Sequence, residues 1–245
     1  MTACSQREKG GNGMEDTGFL TGAACRKLTE LGWEEVPIEL AAECELTITV
    51  DGETLPTILC SPVEIMELVI GRLITGGFVR DEDEFASCEV DESEAPERIR
   101  VSVVRKENRP APEKKPRKTA DWDADMIRKL REYVITDAGK TRSGHSLHSC
   151  TLMCGGEIVC CREDISRRNV IDRVVGWAAK YGVELAGCVV FFSGRISKDA
   201  VRQAAAAGIT VLCGKALPTA QAAALAEKEQ IVLLHSSERR GLLQF

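Results

Sequence analysis

The feature of this sequence that most constrains its fold is the regular alternation of helical and strand patterns from residue 165 to the C-terminus. Three helical segments, near 167–182, 197–208 and 218–230, are each followed by a short continuous apolar run. Apolar strands that alternate with helices are typical of a mainly parallel sheet with both faces covered. We therefore predict an α/β fold for this half of the chain, with ligands binding beyond the carboxyl ends of the strands.

Strand and turn patterns fill much of the remaining sequence. Apolar and polar residues alternate over 44–50, and the Asp51-Gly52 dipeptide that follows suits a type I′ turn, which predicts a β-hairpin. The stretch 98–106 alternates in the same way. A second hairpin is predicted at Gly155-Gly156, between the strand patterns on either side of it.

Two helices are predicted before residue 140. Ser61 as N-cap and Glu64 in a capping box predict a helix that ends at Gly76. A second helix is predicted from Ala124, because apolar residues recur on one stripe of a helical wheel between Met126 and Val134.

These patterns divide the chain into three parts. The first is polar and glycine-rich, and the second ends in a basic loop with three prolines at 106–118. The predicted parts are a flexible tail at 1–30, a smaller N-terminal α+β portion with hairpins at 31–123, and the α/β domain at 124–245.

Composition excludes several classes of function. The 32 Lys and Arg against 38 Asp and Glu give a net charge of −6, which disfavours a general nucleic-acid binder. No apolar run suits a signal peptide or reaches the roughly 20 residues that span a membrane. We therefore expect a cytoplasmic protein without a nucleic-acid or membrane partner.

Eleven cysteines are a high number for a chain whose thiols stay reduced, and most are expected to pack as small apolar residues. Cys44, Cys60, Cys188 and Cys213 lie inside apolar strand patterns, so we predict that they are buried.

Small and cationic residues follow three of the predicted strands. Because the carboxyl ends of parallel strands meet at one edge, these residues are predicted to form a site for an anionic ligand, assisted by the N-termini of the next helices. The predicted set is Ser193, Gly194, Arg195, Lys215, Ser236, Ser237, Glu238, Arg239, Arg240 and Gly241. His235 at a strand end is interpreted as a structural hydrogen-bonding residue.

The segment REDISRRNVIDRVVG, residues 162–176, crowds carboxylates and arginines around one asparagine at a helix start. Arg167, Arg168 and Asn169 could donate to a phosphate-bearing ligand, and Asp164 and Asp172 could hold the arginines or accept from a base. Plain helix capping and surface salt bridges explain the same pattern, and the residues alone leave both interpretations open.

This segment resembles the signature vrEDvGRHNAvDKviG of the FdhD family, the formate dehydrogenase accessory sulfurtransferases. The retained residues are Glu163, Asp164, Arg167, Asn169, Asp172 and Gly176. The stretches SPVEIMELVIGRLITGGFV and SGRISKDAVRQAAAAGITVL are similar to further family motifs, and the likeness extends over about 36–245.

The resemblance implies a cytidine-deaminase-like three-layer α/β fold, a homodimer and a role in formate dehydrogenase maturation. It implies that a cysteine desulfurase supplies sulfur, which passes to the molybdenum or tungsten bis-guanine-dinucleotide pterin cofactor. A guanine nucleotide would mimic part of that cofactor, and the strand-end cations suit its diphosphates.

One departure from the family affects this implied function. The family motif CGxCG, which carries the sulfur, should fall in the loop after Arg105, yet the loop here contains no cysteine. Sulfur relay needs an exposed thiolate of lowered pKa. Candidate substitutes are Cys150 and Cys154, near the family-matched His148. About 13 Å would separate the two cysteines along a strand, too far for a disulfide between them.

Two further interpretations remain. His145, His148, Cys150 and Cys154 could be zinc ligands, but the spacing of zinc deaminases is missing, so no metal site is assigned. Alternatively, the chain is a non-catalytic family member that binds the cofactor or a partner without moving sulfur.

Overall fold

The structure, a computed structural model, describes residues 20–107, 119–136 and 147–245. These residues form two larger sheets, a separate two-stranded ribbon and five α-helices. The helices are α1 (Ile65–Thr75), α2 (Ala124–Ile135), α3 (Asn169–Lys180), α4 (Lys198–Ala207) and α5 (Ala220–Lys228). The strands are β1 (Leu20–Thr29), β2 (Gly32–Ala41), β3 (Cys44–Val50), β4 (Glu53–Thr54), β5 (Ile58–Cys60), β6 (Phe85–Glu94), β7 (Arg98–Arg105), β8 (His148–Cys154), β9 (Glu157–Asp164), β10 (Cys188–Phe192), β11 (Val211–Gly214), β12 (Val232–Ser237) and β13 (Gly241–Gln244).

The C-terminal sheet has the strand order β13-β12-β11-β10-β8-β9. Its central strands β10, β11 and β12 are parallel, as the helix and strand alternation predicts. The predicted hairpin β8–β9 and the last strand β13 add antiparallel strands on the two sides. The α/β class is confirmed, and the sheet as a whole is mixed.

Two helical layers cover this sheet. Alternate side chains of the central strands pack with α3, α4 and α5 on one face, for example Val190 and Leu233. The side chains between them, such as Phe191 and Leu234, pack with Ile127 and the rest of α2 on the other face. This arrangement is the predicted three-layer domain.

The N-terminal sheet has the order β4-β3-β7-β6, with β5 also paired to β3. The turn between β3 and β4 has φ of 50° at Asp51 and 86° at Gly52, so the predicted type I′ hairpin is confirmed. Apolar residues of this sheet belong to the same core cluster as α3, α4 and α5. The residues before and after 124 thus share one core. The domain boundary predicted between residues 123 and 124 stays a prediction.

The predicted tail at 1–30 needs a correction. Leu20–Thr29 form β1, which pairs with β2 over ten residue positions as an antiparallel ribbon. β2 contains β-branched and apolar residues, which favour strands, so β1 can pair with it although residues 1–30 are polar overall. Residues 1–19 lie outside the described residues.

The start of α1 also differs from the prediction. The helix begins at Ile65, and Ser61 does not cap it. The Arg173 guanidinium instead binds the carbonyl oxygens of Ser61 and Val63, and Glu64 adopts a φ of 48°. Because an arginine about 110 positions away holds these carbonyls, the segment before Ile65 stays outside the helix.

Helices α1 and α3 touch backbone to backbone at two glycines. A Cβ atom added to Gly71 would lie 1.7 Å from the carbonyl oxygen of Asp172, and one added to Gly176 would lie 1.8 Å from that of Glu67. No side chain fits either position. The two halves of the chain can therefore meet this closely only with glycine at both places.

Gly176→Ala is expected to destabilise the protein by more than about 3 kcal/mol, because a methyl group would overlap backbone atoms of α1. Alanine has the higher helix propensity, so a loss would reflect packing alone. Urea unfolding measures the change. The matched control is Gly187→Ala, whose Cβ would meet no atom within 4 Å, and a stable Gly176→Ala protein would contradict the close contact.

Candidate anion-binding rim

The carboxyl ends of the central strands meet the start of β8 at one edge of the C-terminal sheet. The Ser193 amide donates to the Ser149 carbonyl at 2.9 Å, and the Ser149 amide donates to Ser193 Oγ at 2.8 Å. The Lys215 amide donates to the Phe192 carbonyl at 3.4 Å. We call this edge, including the end of β9 at Asp164, the rim.

The turn between β12 and β13 belongs to the same edge, because β12 runs parallel to β11. Ser237 and Gly241 face each other across it, and the Arg240 amide donates to Ser237 Oγ at 3.3 Å. Gly241 has a φ of 68°, a conformation that favours glycine. The exposed residues between them, Glu238 to Arg240, extend the rim by one further strand position.

Arg167 lies at the other side of the rim, three residues after the end of β9. His148 begins β8 and faces Asp164 in the β8–β9 register. Burial lowers the pKa of His148, and the positive charge of Arg167 lowers it further, while Asp164 opposes the change. The Arg167 guanidinium therefore lies near the His148 imidazole at the first strand position of the rim.

The topology thus gathers the strand-end residues predicted from the sequence, together with Arg167. Within the described ranges, none of the rim cations forms an ion pair. These exposed cations are Arg167, Arg195, Lys215, Arg239 and Arg240. At about 4.8 Å between neighbouring strands, the four steps from β9 to β12 span about 19 Å, which is longer than a single phosphate group.

His235 places a polar atom without a partner behind this edge. The side chain is 3% exposed, and its Nε2 lies 3.0 Å from Ser237 Oγ. Its Nδ1 has no hydrogen-bond partner among the residues that the structure describes. Buried polar atoms are usually satisfied, so this nitrogen is an exception close to the rim.

The two glycines of the rim have a packing role. A Cβ at Gly194 would lie 2.5 Å from the Phe192 ring, and one at Gly214 would lie 2.8 Å from Ile196 Cδ1. Without a side chain at these two positions, the Phe192 ring and the Ile196 side chain can pack directly against the backbone. Packing therefore explains both glycines without a ligand.

The segment 162–176 mainly serves the interior. Asp164 is fully buried and accepts hydrogen bonds from the Ser61 amide, from Asn169 Nδ2 at 2.9 Å and from Arg173 Nε at 2.8 Å. Asn169 also donates to the Leu59 carbonyl at 2.8 Å. This buried network joins the end of β9 and the start of α3 to the segment before α1.

Asp172 is fully buried and contacts three donors. Thr75 Oγ1 donates at 2.6 Å, Gln203 Nε2 at 2.7 Å and Arg72 Nη1 at 3.4 Å. Burial raises the pKa of Asp172, and these three donors partly offset that increase. The sequence assigns Asn169 and Asp172 to ligand binding, whereas the structure places both side chains in interior hydrogen-bond networks.

The four arginines of this segment have separate roles. Arg162 pairs with Glu67 at 2.6 Å and lies over the Trp177 ring. Arg168 pairs with Asp199 at 2.6 Å on the surface, and Arg173 is buried against Asp164. Of the four, only Arg167 is both exposed and without an ion pair among the described residues. It is therefore the one arginine of this segment that contributes a cation to the rim.

The sequence patterns do not predict the other partners in these networks, which are Ser61, Arg72, Thr75, Arg173 and Gln203. A signal existed for Arg173, which follows Val170 by three positions and therefore falls on the apolar face of α3. An arginine on a buried helix face indicates a buried acidic or carbonyl partner.

Cys150, one of the two proposed sulfur-carrying thiols, lies in unfavourable surroundings. Cys150 is 0% exposed, and burial raises the pKa of its thiol well above the usual value. Cys188 is buried, as predicted, and forms a disulfide with Cys154, so it is not the reduced thiol that the sequence led us to expect. Cys44, Cys60 and Cys213 are buried free thiols, as predicted.

The described residues contain no group of three or more His, Cys, Asp or Glu side chains placed to hold a metal ion. His145, part of the zinc interpretation, lies outside the described residues. No helix within the described residues has the length and apolar character needed to cross a membrane.

The fold and the rim define a three-layer α/β protein whose C-terminal sheet carries, at one edge, exposed cations without an ion-pair partner among the described residues. Comparison with known proteins adds relatives of the same kind. The sequence model of the FdhD/NarQ family matches residues 41–119 and 98–242. The chain therefore belongs to the FdhD/NarQ family.

Two relatives carry the name sulfur carrier protein FdhD. The protein of Geobacillus kaustophilus is 31% identical over 222 residues, covering 80% of this chain and 83% of the relative. That of Listeria monocytogenes serotype 4b is 26% identical over 224 residues, covering 81% and 86%. A crystal structure of a formate dehydrogenase accessory protein from Desulfotalea psychrophila matches with a TM-score of 0.73 and 22% identity, over 93% of this chain and 96% of that one, and supports the fold.

Arg167→Ala is expected to raise the pKa of His148, because the substitution removes a cation that disfavours the imidazolium. An NMR titration of the His148 ring measures this pKa. Since the folded pKa lies below 6.5, the unfolded chain binds more protons, and the free energy of unfolding falls as the pH drops below that value. This fall should be smaller in the variant.

The matched control is Arg168→Ala, which removes the same charge one residue away, where the guanidinium pairs with Asp199. It should leave the pKa of His148 unchanged. An equal effect of the two substitutions, or no effect of Arg167→Ala, would contradict the placement of Arg167 beside His148.

Proposed function

We propose that this chain takes part in formate dehydrogenase maturation by binding the molybdenum or tungsten bis-guanine-dinucleotide pterin cofactor at the rim. The observation that carries the proposal is the set of cations at this edge that form no ion pair with described residues, including Arg167, Arg195 and Lys215. Cations that lack a protein partner are available to phosphates. The printed descriptions of the relatives support the connection with formate dehydrogenase.

The residues at the rim fit the diphosphate parts of that cofactor. Arg195 and Lys215 follow neighbouring parallel strands, about 4.8 Å apart, so both can contact one diphosphate. His235 Nδ1 adds a buried nitrogen without a described partner, and the β12–β13 turn adds Arg239 and Arg240. The bound cofactor would supply the metal centre that the dehydrogenase uses, while the chain contributes charge and hydrogen-bond donors.

The proposal retains the expected partners. Formate dehydrogenase would receive the cofactor, a cysteine desulfurase would supply sulfur, and the chain would act as a homodimer in the cytoplasm. No nucleic acid or membrane is part of it.

A guanine nucleotide that carries a diphosphate is the probe for this site. Arg195→Ala and Lys215→Ala should each weaken its binding roughly tenfold, since a charge-assisted hydrogen bond contributes about 1.5–3 kcal/mol. Isothermal titration calorimetry at fixed salt measures the affinity. Arg128→Ala removes an exposed cation from α2, where it pairs with Asp125, and should leave the affinity unchanged. Unchanged affinity after both rim substitutions would contradict the proposal.

Sulfur delivery to this cofactor is the second candidate function, and the name of the relatives favours it. The absence of cysteine from 106–118 and the burial of Cys150 favour the alternative, a non-catalytic member that only binds. Incubation with a cysteine desulfurase and cysteine, followed by mass spectrometry, separates the two. An adduct of about 32 Da, one sulfur atom, on any thiol, or the release of sulfide by the protein, supports delivery, and the absence of both supports binding alone.

A further inference from the structure

Two cysteines face each other at the end of the C-terminal sheet opposite the rim. Cys154 is the last residue of β8, and Cys188 is the first residue of β10. The two are register partners in the antiparallel pairing, their Cα atoms lie 4.4 Å apart, and a disulfide joins them. This separation lies within the range that a disulfide requires.

The pair differs from the other described cysteines. All eight of the others are free thiols. They include Cys44 and Cys60, which are also register partners but form no disulfide. The described chain is therefore not a framework of oxidised cysteines. Where most thiols stay reduced, an occasional disulfide is usually transient and serves catalysis or redox sensing.

The surroundings of the two sulfur atoms are asymmetric. Cys188 is 2% exposed, whereas Cys154 is partly exposed beside the turn at Gly155-Gly156. Lys129 Nζ lies 2.9 Å from the Gly156 carbonyl and 3.0 Å from Glu157 Oε1, so an ion pair stands at this turn. A partly exposed thiol with a buried neighbour suits an accepting and a resolving cysteine.

We propose that Cys154 accepts a sulfane sulfur atom as a persulfide and that Cys188 resolves it, releasing the sulfur as sulfide. This inference rests on the sulfur-delivery part of the proposed function and names the thiols that perform it. It also gives the chain a sulfur-handling pair even though 106–118 contains no cysteine.

The chemistry balances within the chain and its donor. A persulfide donor transfers its outer sulfur atom to the reduced Cys154 thiolate. Cys188 then loses its proton and attacks the Sγ atom of the Cys154 persulfide, so the bond between Sγ and the outer sulfur breaks while the Cys154–Cys188 disulfide forms. The two thiols are oxidised, the sulfane sulfur is reduced and leaves as HS⁻, and a dithiol reductant restores the pair.

The position of the pair determines how the sulfur travels. Cys154 lies five residue steps along β8 from Ser149 at the rim. At about 3.4 Å per residue, this distance is about 17 Å. Neither cysteine side chain can span that distance. The sulfur therefore leaves the pair as free sulfide, and the two ends of the sheet divide sulfur release from cofactor binding.

The test starts from the fully reduced full-length chain, free of added reductant and oxygen, and uses glutathione persulfide as the sulfane-sulfur donor. In the wild-type protein, sulfide should appear in amounts equal to the Cys154–Cys188 disulfide found by mass spectrometry of alkylated peptides. In Cys188→Ala, the persulfide should persist on Cys154, and sulfide release should fall roughly tenfold or more. In Cys154→Ala, both products should disappear.

The matched control is Cys25→Ala, which removes a partly exposed free thiol from the ribbon and should behave as wild type. Disulfide formation without an equal amount of sulfide in the wild-type protein would overturn the inference, whatever the folding of the variants. Sulfide release from Cys188→Ala at the wild-type rate would do the same. Guanine nucleotide affinity is independent of both cysteines, so failure of this pair and failure of the rim are distinguishable.

Discussion

The close contact between α1 and α3 at Gly71 and Gly176 is the constraint on which the rest of the structure depends. Because the two backbones touch there, the segment before α1 comes within reach of Arg173 and Asp164. The buried ion pair is satisfied by hydrogen bonds from both halves of the chain, as a buried pair must be to avoid a large desolvation cost. This network fixes the end of β9, and with it the part of the rim that carries Arg167.

The charge in 162–176 therefore has two uses that the sequence does not separate. Asp164, Asn169, Asp172 and Arg173 hold elements together in the interior, so the fold explains why the first three match the family signature. Arg167 remains exposed next to His148 and can serve a ligand. Neighbouring residues of one motif therefore have different surroundings, and no side chain caps the start of α3.

Local patterns predicted the local structure well. The parallel strands β10, β11 and β12 follow from continuous apolar runs, and the Asp51-Gly52 turn follows from the φ preference of these residues. The failures involve partners distant in sequence. Ser61 resembles a helix cap, but Arg173 binds its carbonyl oxygen, and Cys188 is a core residue as predicted, but the strand register also places it opposite Cys154 as a disulfide partner. The gathering of the rim residues could be predicted because it depends only on the order and direction of the strands. The inward orientation of Asn169 and Asp172 could not, because it depends on how the helices pack.

The central claim is that cations from separate strand ends, which form no ion pair with the described residues, bind a diphosphate at one edge of the sheet. A crystal structure of the chain with a guanosine diphosphate tests this claim most directly. The account predicts phosphate oxygens within hydrogen-bond distance of Arg195 and Lys215, at about 2.7–3.2 Å. A nucleotide bound elsewhere on the chain, with both of these side chains free in solvent, would contradict it.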